Sequence, residues 1–361
     1  GFSSCAIFSY NCETSESSQD ELKETTTTRA QDYQFKYTID AVKYSTSFHV
    51  REEPVSIYIP KEWKHVGRGF LEFHKNSCPI RNCYIIDDRI EMSNVIFLKP
   101  HLLNIPKPRR MEQLLVLELL ESPQHTIDLS FLNEMINYTV SYRWDSDIVV
   151  PYGKYIPFDS PRMENAIKDY STGKPRKVAW LVSNCFTRNR RREYANMLSK
   201  YIQVDVYGSC GNGRISHAEG KRLIKDKYKF YLSFENSNCR DYVTEKFFEN
   251  ALLNNAIPIV YGAEKAFYEQ IAPPNSFIFA LDFQSPKELA QYLHYLDQNS
   301  TAYNEFFQWK QLGRVSLDTK FWCRFCAFVQ SPPSHFYEDV NSWWHQKKDC
   351  QKFTGFNFTS N

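Results

Sequence analysis

Two short stretches of this sequence concentrate side chains that bind phosphate and sugar hydroxyls. The first stretch carries Glu235, Asn236, Arg240, Tyr242, Glu245 and Lys246. The second stretch holds four arginines, Arg188, Arg190, Arg191 and Arg192. Guanidinium groups bind phosphate through paired hydrogen bonds, but residues that follow each other on a helix point about 100° apart. One or two of these arginines can therefore face a ligand and the rest are solvated, and the alternative for the first stretch is a solvated loop.

Each stretch follows a predicted strand and leads into a predicted helix. Residues 230–234 form an apolar run of strand length, and a second run at 256–261 ends at Gly262. Apolar residues between the runs recur at helical spacing, with Asp241 as a candidate helix N-cap. Residues 178–182 and 202–207 are predicted strands around a basic helix at 188–201. Two βαβ units of this kind place both polar stretches at the carboxyl ends of the strands, where ligands bind.

An Asp-x-Asp pair, Asp145 and Asp147, closes a predicted strand at 139–143. Two carboxylates after a strand can hold a divalent metal against the pyrophosphate of a sugar nucleotide. The alternative is a turn in which the aspartates bond their own backbone. No third acidic residue stands nearby to complete a metal site, so the turn is favoured.

Composition limits the class of protein. The chain has 361 residues, enough for two domains, and its 44 basic and 42 acidic residues leave a net charge of +2. This balance excludes the strongly basic face of a nucleic-acid-binding protein. There is no run of about 18 apolar residues, so no transmembrane helix is predicted. Ten cysteines and glycosylation sequons at Asn137, Asn299 and Asn357 indicate the secretory pathway.

Residues 1–32 are rich in Ser, Thr and Glu, and this composition is typical of a stem or linker. Cys5 and Cys12 within them could bond to the folded body or to a second chain. The sequence starts with Gly1 rather than methionine, so we expect a signal peptide or a membrane anchor upstream. Residues 159–177 are the predicted interdomain linker.

Five segments together resemble the α1,3-fucosyltransferase family. They are SYRWDSDIVVPYG at 141–153, SNC at 183–185, YGSCGNG at 207–213, FENSNCRDYVTEKFFENAL at 234–252 and WCRFCA at 322–327. The cysteines after SN and YG are similar to those of invertebrate and plant enzymes that fucosylate the N-glycan core. ESPQHT at 121–126 is similar to the Lewis-type enzymes, so both acceptor classes stay open.

The resemblance implies an α/β fold of the GT-B type, in which two Rossmann-like domains face a cleft. We expect an acceptor-binding domain at 33–165, a GDP-fucose-binding domain at 166–330 and a C-terminal extension at 331–361. Glu121 is the implied general base, and Arg191 and Lys246 are the implied pyrophosphate ligands. The other implied donor contacts are Ser183, Asn184, Tyr207, Glu235, Asn236, Tyr242 and Glu245. Since neighbouring helical side chains diverge, we predict that Lys246 meets phosphate while Glu245 meets fucose or ribose hydroxyls.

The implied activity is inverting transfer of fucose from GDP-fucose to the 3-hydroxyl of a GlcNAc in an N-glycan, with the core GlcNAc favoured. Two cations at the pyrophosphate make a metal cofactor unnecessary, although a divalent metal could stimulate. We expect no nucleic-acid partner, and membrane contact only through an N-terminal anchor outside this sequence. The expected location is the Golgi lumen, as a type II membrane protein, or the secreted fraction. The alternatives are a Lewis-type enzyme acting on antennal GlcNAc and a non-catalytic glycan-binding protein.

The resemblance also implies a disulfide framework. The implied pairs join Cys323 and Cys326 to Cys78 and Cys83, and Cys185 to Cys210. A zinc or redox CxxC is the alternative at 323–326, but no histidine accompanies it and thiols oxidise in the secretory compartment. Cys239 and Cys350 have no implied partner.

Overall fold

The computed structural model describes residues 50–102, 105–162, 168–211, 213 and 215–351. The predicted stem, Cys5, Cys12 and the sequon at Asn357 lie outside these ranges. In the ranges described, no helix combines the length and apolar character needed to cross a bilayer.

The first half of the chain forms a six-stranded parallel sheet. Its elements are β1 (Val55–Tyr58), α1 (Leu71–Lys75), β2 (Cys83–Ile86), β3 (Val95–Leu98), β4 (Leu114–Leu119), β5 (Tyr138–Ser141) and β6 (Ile148–Val149), followed by β7 (Lys154–Pro157) outside the sheet, with 3₁₀ helices at Ile90–Met92, Pro123–His125 and Ser130–Leu132. The strand order is β2-β1-β3-β4-β5-β6. Every residue of β1, β3 and β5 is buried, as expected for a parallel sheet covered on both faces.

The second half contains a five-stranded parallel sheet in the order β12-β11-β10-β8-β9. Its elements, with those that follow, are β8 (Arg176–Leu181), α2 (Arg191–Leu198), β9 (Val204–Tyr207), α3 (His217–Lys227), β10 (Tyr228–Phe234), β11 (Ile257–Tyr261), α4 (Lys265–Ile271), β12 (Ile278–Phe279), α5 (Pro286–Gln298), α6 (Ser300–Glu305), α7 (Trp309–Leu312), β13 (Gly313–Ser316), α8 (Phe321–Gln330) and α9 (Val340–Trp344). A π-helix at Lys246–Ala251 and 3₁₀ helices at Leu252–Asn254 and Ala280–Asp282 complete it. All seven residues of the central strand β10 are buried.

The helix predicted to start after Asp241 begins later, at Lys246. Asp241 has a positive φ of 59°, which no helical residue adopts, and its carboxylate accepts a hydrogen bond from the Trp144 backbone N–H at 3.0 Å. Asp241 therefore shapes a turn toward the first half of the chain instead of capping a helix. The polar loop is correspondingly longer than predicted and reaches Glu245.

The chain returns to the first sheet after completing the second. Strand β13 pairs antiparallel with β7, and together they form a two-stranded crossover ribbon. Beyond the ribbon, α8 buries Phe325 and Val329 in the same core as Phe97 of the first sheet, whereas α9 packs on the opposite face of that sheet. The structure differs here from the predicted division of the chain, because residues 321–330 share a core with the first half and not with the second.

Candidate active site

A carboxylate from the first half of the chain contacts the polar loop of the second. Glu121 lies two residues beyond β4, and its side chain is exposed. Asn236 Nδ2 and Tyr242 OH donate to Glu121 Oε2 at 3.3 and 3.2 Å. The buried hydroxyls of Ser122 and Ser237 lie 2.7 Å apart beside this contact. The predicted base and two predicted donor-loop residues therefore meet between the two sheets.

Glu235 follows β10 directly and is completely buried. Its carboxylate accepts from the Thr244 backbone N–H at 2.8 Å and from Thr244 Oγ1 at 2.9 Å, and it pairs with Lys246 Nζ at 3.0 Å. Burial raises the pKa of Glu235 even though Lys246 opposes the shift. Glycine is required opposite this carboxylate, since a Cβ on Gly262 would lie 2.8 Å from Glu235 Cβ. Glu235 therefore positions Lys246, and its implied donor contact stays a prediction.

The Lys246 ammonium makes three polar contacts, one for each of its protons. Its Nζ lies 2.8 Å from Thr244 Oγ1, 3.0 Å from Glu235 Oε2 and 3.1 Å from Glu245 Oε1. Burial disfavours the charged amine, but Glu235 and Glu245 hold the pKa of Lys246 above its ordinary value. The prediction that Glu245 and Lys246 point apart is wrong. Glu245 precedes the π-helix and Lys246 is its first residue, and their flexible side chains bend toward each other and form the contact given above. Glu245 is the more exposed of the two carboxylates, at 38% against 0% for Glu235.

Arg191 is the first residue of α2, and its guanidinium is buried. Nη1 donates to the Phe234 carbonyl at 2.7 Å and Nη2 donates to the Asn184 carbonyl at 2.9 Å. Burial lowers the pKa of Arg191, and Glu235 opposes this shift. Arg191 thus joins the end of β10 to the loop after β8. Its implied contact with pyrophosphate stays a prediction.

Three residues at this site were not predicted as site residues. Asn189 Nδ2 donates to the Glu235 carbonyl at 2.9 Å, and Thr244 holds the Glu235 carboxylate. Tyr152 OH donates to the Leu120 carbonyl at 2.7 Å, and burial together with Glu245 and Glu121 raises the pKa of Tyr152. The polar stretches contain Asn189 and Thr244, but only the folded contacts separate them from their neighbours.

Two family models match consecutive parts of the chain. The family model described as "Fucosyltransferase, N-terminal" matches residues 52–153, and the model "Glycosyltransferase family 10 (fucosyltransferase) C-term" matches residues 171–343. The chain belongs to glycosyltransferase family 10.

Several family-10 relatives align over much of the chain. Glycoprotein 3-alpha-L-fucosyltransferase A of Drosophila melanogaster is 40% identical over 306 residues, which are 81% of this chain and 60% of that protein. Alpha-(1,3)-fucosyltransferase 7 of Bos taurus is 40% identical over 62% of this chain and 64% of that protein. 3-Galactosyl-N-acetylglucosaminide 4-alpha-L-fucosyltransferase FUT3 of Bos taurus is 39% identical over 81% of this chain and 79% of that protein. The chain described here thus spans less than two thirds of the length of the first two relatives.

Solved structures show the fold. A crystal structure of an α1,3-fucosyltransferase with GDP matches with a TM-score of 0.53 and 16% identity, covering 85% of this chain and 99% of that one. The same kind of enzyme with GDP-fucose matches with a TM-score of 0.51 and 15% identity. The predicted GT-B architecture of the family-10 chain is confirmed.

Both aspartates of the Asp-x-Asp pair are engaged by the protein. Asp145 pairs with Arg143 Nη2 at 2.5 Å and with Arg240 Nη2 at 2.8 Å. Asp147 Oδ2 accepts from the Thr139 backbone N–H at 2.8 Å and from Tyr337 OH at 2.8 Å. Throughout the part of the chain that is described, no group of three or more potential metal ligands occurs. The two aspartates thus bond side chains and a neighbouring strand rather than the backbone of their own turn, and independence from metal stays a prediction.

Tyr207 does not reach the site. It ends β9, but its hydroxyl lies 2.6 Å from that of Tyr228 and accepts from Arg176 Nη1 at 3.0 Å. Tyr228 and Arg176 begin β10 and β8, so the Tyr207 ring leans back toward the amino ends of the strands. These contacts hold the hydroxyl away from the donor loop, and the implied donor contact by Tyr207 stays a prediction. Ser183 and Asn184 do lie exposed at the carboxyl end of β8.

Four disulfides are present in the described ranges. They are Cys78–Cys323, Cys83–Cys326, Cys185–Cys210 and Cys239–Cys350. The first three are the pairs that the resemblance implied. The fourth was not assigned, and it fixes the loop after β10 to the C-terminal end of the described chain.

The two described sequons have hydrogen-bonded amides. Asn137 Oδ1 accepts from the Leu115 backbone N–H at 2.9 Å, and its Nδ2 donates to the His335 carbonyl at 3.2 Å. Asn299 caps α6 by accepting from the Ala302 backbone N–H at 3.0 Å. Glycosylation at either asparagine stays a prediction.

Proposed function

We propose that this chain transfers fucose from GDP-fucose to the 3-hydroxyl of a GlcNAc in an N-glycan, with inversion at the fucose C1 and Glu121 as the general base. The observation that carries the proposal is the contact of Glu121 with Asn236 and Tyr242. It sets a carboxylate of the first half directly against the loop that leads to Lys246. A base for the acceptor and a cation for the leaving group are both needed in one cleft for this reaction.

The transfer is a single displacement. The acceptor oxygen attacks C1 as Glu121 takes its proton, and the bond from C1 to the β-phosphate oxygen of GDP breaks on the opposite face. Negative charge grows on that phosphate, and the Lys246 ammonium, held by Glu235, is the buried cation suited to receive it. We propose that no metal takes part, since Asp145 and Asp147 already have protein partners. Loss of activity in chelator with recovery on adding manganese would contradict this.

We favour the core GlcNAc as acceptor. The fly relative, named a glycoprotein 3-alpha-L-fucosyltransferase, aligns over 81% of the chain, and the Cys185–Cys210 pair matches the cysteine pattern of core enzymes. The second candidate is an antennal, Lewis-type acceptor, because the bovine FUT3 relative aligns over an equal share at 39% identity. The four disulfides suit the Golgi lumen or the secreted fraction, which we propose as the location.

Mass spectrometry of a defined N-glycan panel after incubation with GDP-fucose distinguishes these acceptors. If the core GlcNAc is the acceptor, the new fucose is found on the innermost GlcNAc. A fucose found on an antennal GlcNAc would instead support the Lewis-type acceptor. The absence of both products and of GDP release, with glycan binding retained, would identify a non-catalytic glycan-binding protein.

Glu121→Gln tests the base. We expect the rate of transfer to fall by about 10²–10⁴-fold, because the amide cannot accept the proton, while GDP affinity is kept. Glu134→Gln, which changes another exposed carboxylate, is the matched control and is expected to keep full activity. An active Glu121→Gln enzyme would remove the assignment.

A further inference from the structure

A second concentration of cations lies far from the proposed active site. It is a pocket lined by Arg162, Lys168, Tyr170, Asn304, Gln308 and Lys310, which we call the basic pocket. The pocket is partly open to solvent. No carboxylate lines it within the described ranges.

The two lysines of the basic pocket share one aromatic ring. Lys168 Nζ and Lys310 Nζ lie 5.3 and 5.5 Å from the centre of the Tyr170 ring, which stacks on Phe307 at 4.4 Å. Neither lysine forms an ion pair among the described residues, unlike Lys177 and Lys229, which both pair with Asp297. Within the described residues, the two ammonium groups therefore lie over the stacked Tyr170 ring without a carboxylate partner.

The proximity of these amines has an energetic cost. Burial and the neighbouring Lys168 lower the pKa of Lys310 to about 8. Burial and Lys310 lower the pKa of the adjacent Lys174 to about 7. Asp169, which follows Lys168 in the chain, is occupied by Ser171, Thr172 and Asn304. An anion bound in the pocket would supply the negative charge that the ammonium groups of Lys168 and Lys310 lack among the described residues.

The basic pocket is separate from the donor loop. Tyr303, in the helix that carries Asn304, donates to the carbonyl of Lys229 near the start of β10, whereas Glu235 follows the end of that strand. A strand of this length spans about 20 Å. The pocket also lies beside the crossover ribbon, since the Arg162 backbone N–H donates to the Gln311 carbonyl two residues before β13.

We propose that the basic pocket binds a phosphate or sulfate group, held by Lys168, Lys310 and Arg162 with the side-chain amides of Asn304 and Gln308. Such a group carries one or two negative charges at neutral pH and accepts several hydrogen bonds, which matches three cations and two amides. The group is either the free ion or a substituent on a larger molecule such as a sulfated sugar. A ligand here links residues on both sides of the crossover ribbon.

Isothermal titration calorimetry of the whole chain, with GDP in excess to fill the donor site, tests this site. Inorganic phosphate, inorganic sulfate and GlcNAc 6-sulfate are titrated separately at constant ionic strength. One equivalent of each ion is expected to bind. Tighter binding of the sulfated sugar than of free sulfate would identify a carried group, and equal binding would identify the free ion.

Charge-matched variants separate binding from folding. Lys310→Met and Lys168→Met are each expected to weaken phosphate binding at least tenfold, whereas Lys310→Arg should retain it within about threefold, since only the charge is needed. Lys287→Met, at an exposed position on α5, is the control and should bind as the parent does. No binding by the parent chain, or parent-like binding by Lys310→Met and Lys168→Met, would overturn the proposal. Donor affinity and transferase rate are measured on the same samples, so failure of the proposed enzyme activity is seen independently.

Discussion

At the scale of single residues, the site is built from buried charges that stabilise one another. Lys246 stays charged because Glu235 and Glu245 accept from it, and Glu235 stays buried because Thr244 and Lys246 satisfy it. Removing one partner leaves an uncompensated charge, which costs more than the pair contributes. The sequence indicated which residue types take part, but not which of them stand in the cleft.

Gly262→Ala tests the space beside Glu235. The added Cβ would lie 2.8 Å from Glu235 Cβ and Cγ, so we expect a loss of about 1–3 kcal/mol in the free energy of unfolding and a lower kcat. Gly220→Ala is the comparison, because its Cβ meets only flexible ends of Leu181 and Ile215 and α3 gains from alanine. Urea unfolding and initial rates measure both. Equal effects of the two substitutions would contradict the packing requirement.

Lys174 gives the protein a pH dependence of stability. Its pKa in the folded state is about 7, against an ordinary value of 10.5, chiefly because it is buried. Between these values the unfolded chain binds more protons at this site, so the free energy of unfolding should rise as the pH rises, with a slope of about 1.4 kcal/mol per pH unit. Lys174→Met should flatten this rise in urea unfolding series. Lys225→Met, which is exposed, should leave the slope unchanged, and a parent-like slope in Lys174→Met would refute the assignment.

At the scale of elements, the loop after β10 is held in place by the C-terminal segment. Arg143 Nη1 pairs with Asp349 at 3.0 Å, Arg240 donates to the same carboxylate at 3.4 Å, and Cys239 is bonded to Cys350. Arg143 and Asp349 are both almost fully buried. The residues that touch Glu121 therefore depend on a segment more than a hundred residues later in the chain.

Asp349→Ala should destabilise the protein by about 1.5–3 kcal/mol, because the buried Arg143 loses one of its two carboxylate partners and keeps Asp145. We also expect weaker donor binding, since Arg240 and the loop 235–245 lose an anchor. Asp339→Ala removes only the exposed N-cap of α9 and should cost about 1 kcal/mol with donor binding kept. Thermal melting and GDP titration distinguish the two. Retained stability in Asp349→Ala would show that this ion pair does not hold the loop.

Strands were easier to predict from sequence than helix starts. The strand predicted at 256–261 matches β11 (Ile257–Tyr261) to within one residue, because a short apolar run in an α/β pattern has few alternatives. The helix start after Asp241 was missed, since a positive φ and a contact with distant Trp144 decide the backbone there. The direction of the Tyr207 side chain was not predicted either, because Tyr228 and Arg176 become its neighbours only in the folded sheet.

At the scale of the whole molecule, the two halves are joined by three features: the crossover ribbon, α8 and the disulfides of α8. The βαβ pattern of residues 178–262 predicted the second parallel sheet, and the resemblance to the fucosyltransferase family implied the first. The sequence did not predict that residues 321–330 complete the first core, because periodicity gives the apolar face of a helix but not its partner.

Phe325→Ala tests the membership of α8 by hydrogen exchange. We expect faster exchange in β1 and β3, because Phe325 fills the core of the first sheet, and little change in β10. Leu293→Ala, in α5 and the core of the second sheet, is the mirror control and should act mainly on β8 and β10. If Phe325→Ala increased exchange only in the second sheet, α8 would belong to the predicted domain at 166–330 instead.

The full set of contacts on Lys246 has a consequence for turnover. A donor phosphate can approach the ammonium only by displacing a partner, and Glu245 is the exposed one. The same carboxylate competes with GDP once transfer is complete, so we expect Glu245 to act as an internal substitute for phosphate that speeds product departure. Glu245→Gln should then hold GDP more tightly and show a rapid first turnover followed by slower cycles in pre-steady-state measurements. Weaker GDP binding in that variant would instead make Glu245 a direct donor ligand.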